Sequence, residues 1–89
     1  MDKRFTITVA DGLHARPCTW LVSAVSSFQS DVQLLYNERS INLKSIMGLM
    51  SLAVPEGATV TISAEGTDAE ELLTSVTEVI VSKGLGEEC

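Results

Sequence analysis

Lys3-Arg4-Phe5-Thr6-Ile7-Thr8-Val9-Ala10 runs into Asp11-Gly12-Leu13-His14-Ala15-Arg16-Pro17, and the change of periodicity between the two decides the fold. Phe5, Ile7 and Val9 alternate with Thr6 and Thr8, the period-two pattern of a half-buried strand over residues 3–10. Asp11-Gly12 then turns the chain, glycine reaching backbone conformations closed to other residues. Pro17 is tolerated in the first turn of a helix, where its missing N–H has no intrahelical partner. From Ala15 to about Phe28, the residues Cys18, Leu21, Val22, Val25 and Phe28 recur at helical spacing and predict one buried stripe. His14, the only histidine, therefore lies at or just before a helix N-terminus, where unpaired N–H groups and the macrodipole favour an anion. An imidazole beside such a site, with the Arg16 guanidinium two residues on, suits a phosphoryl group in transit between proteins. Taken alone, the hexapeptide fits a surface histidine at a helix start equally well, and a second stretch is needed to decide.

That stretch lies past the middle of the chain. Val32, Leu34 and Tyr36 alternate with Gln33 and Asn37, giving a second strand, and Ile41 to Leu43 begins a third. Glu38 stands where a tight two-residue turn prefers glycine, so Asn37-Glu38-Arg39-Ser40 reads as a longer or looser hairpin loop. Lys44-Ser45-Ile46-Met47-Gly48-Leu49-Met50-Ser51-Leu52 follows, with Ser45 as N-cap of one or two helical turns. Ile46, Met47 and Met50 outnumber what one stripe of so short a helix can bury. Met47 at least is expected in solvent, and Met-rich patches adapt to several partners.

Val60, Ile62 and Ala64 alternate with Thr61 and Ser63 in a fourth strand. Asp68 and Glu71 have capping-box spacing at the start of a last helix, whose stripe is Leu72, Leu73, Val76, Val79 and Ile80 and which Gly84 ends. The order strand, helix, strand, strand, short helix, strand, long helix predicts an α+β fold of one domain, residues 1–89. It consists of a four-stranded antiparallel sheet with three helices on one face.

Composition narrows the function. Of the 89 residues, 45% are hydrophobic but only 4% aromatic, so the core must be aliphatic. The formal charge of −6 disfavours nucleic acid as a direct ligand, because neutralising phosphates takes a basic face. No apolar run reaches the roughly 20 residues that span a bilayer, and residues 1–5 lack the pattern of a signal peptide, so a cytoplasmic protein without membrane contact is expected. One histidine and two distant cysteines make no metal cluster, and no cofactor is implied. Cys18 falls on the buried stripe, whereas Cys89, beyond Gly84 and Gly86, is expected to be mobile and exposed. Trp20 lies outside the stripe, on the side near His14 and Arg16. It reads either as an interface anchor or as a ring folded over the edge of the sheet.

With both stretches in hand, the sequence closely resembles the HPr family of histidine-containing phosphocarriers of the bacterial sugar phosphotransferase system. The carrying motifs are Gly12-Leu13-His14-Ala15-Arg16-Pro17 and Lys44 to Leu52, joined by Thr61-Ile62-Ser63-Ala64-Glu65-Gly66 and the Gly84-Leu85-Gly86-Glu87 tail. The match runs without gaps over almost the whole chain. It implies an open-faced β-sandwich that is a phosphoryl-transfer intermediate rather than an enzyme. By this resemblance His14 takes a phosphoryl group from phosphoenolpyruvate-charged enzyme I and passes it to IIA domains of sugar permeases, with Arg16 steadying the phosphate. Ser45 would be phosphorylated by HPr kinase/phosphorylase, as in low-GC Gram-positive bacteria, and the product would act as corepressor with catabolite control protein A. Trp20, Ile46, Met47 and Met50 would form the partner-docking patch. Cys18 and Trp20 stand where family members usually carry smaller residues. Ala53 replaces a common glycine, as in the catabolite-repression paralogue, which typically lacks the histidine present here. The alternative reading is a mainly regulatory protein acting through phospho-Ser45.

Overall fold

The opening alternation becomes β1 (Asp2–Ile7), which a glycine-containing turn connects to α1 (Ala15–Val25) in the computed structural model of residues 1–89. There follow β2 (Asp31–Tyr36), β3 (Arg39–Asn42), α2 (Ile46–Ser51), β4 (Thr59–Glu65), α3 (Ala69–Ser82) and β5 (Gly86–Glu88). The strands form one sheet in the order β3-β2-β4-β1-β5, every pair antiparallel. Phe5, Ile7, Val32, Leu34, Val60, Ile62 and Ala64 are all buried, while Arg4, Gln33, Leu35 and their outward neighbours are not. The helices therefore cover one face and leave the other open, as expected of an α+β open-faced sandwich. The core is a single cluster of 21 buried residues in which Phe5 is the only aromatic ring.

The sheet has five strands, not four. Gly86-Glu87-Glu88 pairs with Phe5–Ile7, and buried Leu85 anchors it, its carbonyl accepting the N–H groups of Thr8 and Val9 at 2.9 and 3.2 Å. Glycine is required at 86, since a Cβ there would run into the carbonyl oxygen of Thr6. The two N–H groups converging on one carbonyl also explain why β1 stops at Ile7 rather than Ala10. The tail is accordingly tied down. Cys89 is exposed, but its N–H donates to the Arg4 carbonyl at 2.9 Å and its sulfur lies 3.1 Å from Thr6 Oγ1.

The hairpin turn is tighter than the sequence suggests. Tyr36 pairs directly with Arg39, leaving Asn37 (φ 52°) and Glu38 (φ 67°) as a two-residue turn with both residues left-handed. Packing of Ile41 and Leu34 on the sheet sets this register and outweighs the penalty of a non-glycine residue at 38.

The capping box at α3 does not form either. The Asp68 carboxylate turns away from its own helix and accepts the N–H groups of Gln29 and Ser30, both at 2.9 Å, and the Ser30 hydroxyl. Ser30 Oγ in turn accepts the N–H of Asp68 at 3.2 Å. This latch draws the chain out of α1 at Val25, so Phe28 falls outside the helix. The Ser30 hydroxyl first, then the Gln29 N–H, hold the Asp68 carboxyl below its ordinary value. A group whose pKa is lowered by folding adds stability above its unfolded value, about 3.9, and loses it as pH falls through the folded value. Asp68→Asn should therefore melt below wild type at pH 7, with the gap closing as pH falls below the unfolded value of about 3.9. Parallel melting curves across that range would contradict the latch.

Candidate functional site

His14 is the N-cap of α1, in extended conformation (φ −86°, ψ −164°), and its side chain makes no capping hydrogen bond. It is exposed, and its carbonyl accepts the Cys18 N–H at 3.1 Å. The N–H groups of Ala15 and Arg16 have no acceptor, and Pro17 has none to offer. The helix thus opens with two unpaired donors beside an unengaged imidazole. Arg16 is exposed and pairs with no carboxylate, the one ion pair of the molecule being Lys3–Glu88 at 3.3 Å. A planar guanidinium in this state can take two phosphate oxygens at once.

The approach to His14 is fixed from the other side of the fold. The Leu13 N–H donates to the Val54 carbonyl at 2.9 Å, clamping the turn before α1 to the loop after α2. A shallow depression results, lined by Asp11, His14, Ala15, Met50, Ala53 and Pro55 among others. Ala53 closes α2 in the left-handed conformation (φ 49°), a position glycine usually fills. The left-handed backbone costs an alanine about 1–2 kcal/mol, part of which glycine gives back through its more flexible unfolded chain. Ala53→Gly should therefore raise stability by about 0.5–1 kcal/mol, a gain of a few degrees in a thermal melt. A lowered melting temperature would mean that the methyl group packs to greater advantage than the strain it causes.

Ser45 is the N-cap of α2, its Oγ accepting the Gly48 N–H at 3.1 Å. The N–H groups of Ile46 and Met47 are unpaired. Leu49 is the one buried residue of α2; Met47 is 78% exposed, Met50 44% and Ile46 37%, so all three large side chains reach solvent. The six residues of α2 span about 9 Å, which sets Ser45 a helix length from the His14 depression that Met50 lines. Lys44, which precedes Ser45 in the chain, donates its ammonium to the Phe28 carbonyl at 2.7 Å.

The structure brings His14 and Met50 together, with Met47 and Ile46 on the same short helix, but sets Trp20 apart. At 100° per residue Trp20 follows Arg16 along one flank of α1, whereas Ala15 faces the α2 side. The Trp20 ring is half-buried against the core, and Lys83 Nζ lies 4.9 Å from its centroid, at the end of α3. Lys83 is not marked by spacing, since only the packing of α3 against α1 carries it to Trp20, whereas Asp11 stands three residues before His14 and reads in the sequence only as part of the turn. Cys18 is fully buried, its thiol directed at the Leu13 carbonyl at 3.4 Å, and burial pushes its pKa up, so it is an inert core residue.

No helix is long and apolar enough to cross a membrane. The family model for the HPr component phosphorylation site of the phosphotransferase system matches residues 1–82. The chain is 35% identical to the histidine-containing phosphocarrier protein of a mycoplasma, with a TM-score of 0.94 over 97% of this chain and 98% of that one. It is 38% identical to the phosphocarrier protein HPr of Bacillus anthracis (TM-score 0.82; 89% and 94% covered). It is 41% identical to Crh, the catabolite repression protein of Bacillus subtilis (TM-score 0.72; 84% and 86% covered). Since the family match reaches across both helix starts and the structural likeness runs nearly end to end, this chain belongs to the HPr family, the phosphotransferase-system phosphocarriers that relay phosphoryl groups without catalysing turnover.

Proposed function

We propose that this protein works in the cytoplasm as a one-domain carrier, taking a phosphoryl group from enzyme I onto His14 and passing it to IIA domains of sugar permeases. The observation that carries this reading is the exposed imidazole at the start of α1, beside the unpaired N–H groups of Ala15 and Arg16 and an unpaired guanidinium. An imidazole nitrogen attacks phosphorus, the N–P bond forming as the bond to the donor breaks, and the three equatorial oxygens carry the charge. Arg16 and the two N–H groups hold that charge from one side. Asp11, in the same depression, keeps the bound state from becoming too stable, as a relay requires. Partner proteins supply the remaining alignment, docking over Ile46, Met47 and Met50. Incubation with phosphoenolpyruvate and enzyme I should give an acid-labile label that chases onto a IIA domain. A label that forms but does not chase would overturn the relay.

Ser45 is proposed as the regulatory site, phosphorylated by HPr kinase/phosphorylase to give a corepressor for catabolite control protein A. Its exposed hydroxyl and the neighbouring unpaired N–H groups support this, because a phosphate there keeps acceptors for the first turn of α2. Ser45→Asp should slow transfer from enzyme I several-fold at low salt, by placing charge at the start of the short helix whose Met50 lines the His14 depression. The defect should shrink as salt rises; a salt-independent defect would mean that α2 is reshaped instead. A mainly regulatory role through Ser45, with His14 little used, is the second reading. Ala53 and the likeness to Crh favour it.

A further inference from the structure

Four residues other than glycine hold a left-handed backbone: Asp11 (φ 68°), Asn37 (φ 52°), Glu38 (φ 67°) and Ala53 (φ 49°). The hairpin demands two of them, since the two-residue turn between β2 and β3 needs both of its central residues there. Asp11 and Ala53 come from separate stretches of the chain, yet both line the depression at His14. Backbone strain of this kind collects at sites where function overrides local preference. Asp11 also supplies the one carboxylate on that depression, exposed and in no ion pair. The rest of the lining is mostly apolar, with buried Leu13 and Val54 beneath and Met50, Ala53 and Pro55 beside them. The depression holds about 370 Å³, at the small end of the range for ligand pockets and suited to one long side chain.

We propose that this depression takes a lysine or arginine side chain of the phosphoryl acceptor, its stem along Met50, Ala53 and Pro55 and its cationic head between the Asp11 carboxylate and the phosphoryl group on His14. This rests on the carrier reading above and adds how an acceptor tells a loaded carrier from an empty one. Lysine and arginine lay their methylene stems on apolar surface and keep the charge at a polar rim, the division this lining offers. Empty, the rim shows the single negative charge of Asp11. A phosphoryl group on His14 adds about −1.5 to −2 beside it, so the pull on a cation rises roughly two- to threefold. The entering cation also relieves the repulsion between Asp11 and the phosphate, which the free carrier must bear. The donor meets the carrier empty and the acceptor meets it loaded, so the contact favours the acceptor.

The test measures transfer from loaded carrier to a IIA domain against IIA concentration, at low and high salt, for wild type and Asp11→Asn. Loading by enzyme I and melting temperatures are followed alongside. Asparagine accepts the left-handed backbone as aspartate does, so the substitution removes the charge and keeps the turn. Asp11→Asn should raise the half-saturation concentration for IIA about fivefold at low salt and approach wild type as salt rises. The half-saturation concentration for enzyme I should shift by less than about twofold. An unchanged value for IIA would overturn the proposal while leaving the carrier reading intact. An equal rise for enzyme I and IIA would overturn it too, because the contact would then be blind to loading. So would a rise that ignores salt and follows a lowered melting temperature, which would make Asp11 part of the turn alone. Wild type that loads but passes nothing to IIA would overturn both readings.

Discussion

Gly12→Ala should lower stability by about 3 kcal/mol or more, bringing the melting temperature down by some 15 °C or more for a domain of this size. Gly12 sits at φ +70°, where an alanine already costs about 1–2 kcal/mol. The added Cβ would also press into the Val54 carbonyl oxygen and come within 2.8 Å of Pro55 Cα. Both are backbone atoms, so no side chain can swing aside. Relief requires the loop after α2 to move, and that breaks the Leu13–Val54 hydrogen bond, worth about 1 kcal/mol. The same loop walls the His14 depression, so transfer at permissive temperature should fall together with stability. A melting temperature within a few degrees of wild type would show that the clamp between the two helix-bearing stretches does not exist.

His14→Ala has the opposite profile. Phosphoenolpyruvate-dependent labelling should fall below detection, because no other imidazole exists in the chain. Stability should barely change. The usual loss on replacing an N-cap arises from a side-chain bond to the helix, and His14 makes none. The backbone interactions that start α1, from the Cys18 N–H to the His14 carbonyl and from the His14 N–H to the Gly12 carbonyl, survive the substitution. A cooperative melt within about two degrees of wild type is expected. A large drop would mean that His14 is part of the scaffold, and residual acid-labile label would point to another acceptor.

The parts of the fold that were legible in the sequence are those set by local periodicity. β1, α1, β2, β4 and α3 each carry an apolar pattern whose buried positions follow the expected face, and the excess of Ile46, Met47 and Met50 did signal exposure. What the sequence concealed depends on partners distant along the chain. β5 has no apolar alternation, and it is a strand because Leu85 is buried and Gly86 admits the backbone of Thr6. Asp68 has the spacing of a capping box, yet the N–H groups of Gln29 and Ser30 compete successfully for its carboxylate. At the site, His14, Arg16 and Ser45 are marked by helix-start chemistry. The cation over Trp20 is visible only once α3 is packed antiparallel to α1, a pairing the Ser75 hydroxyl reinforces through the Ala24 carbonyl.

A phosphoryl group riding on His14 would be seen by phosphorus magnetic resonance of the wild-type chain incubated with phosphoenolpyruvate and a catalytic amount of enzyme I. A single phosphoramidate signal is predicted, lost on mild acidification, stable in base, and assigned to the peptide containing His14. A signal from a phosphate ester, or a phosphorylated peptide lacking His14, would contradict it.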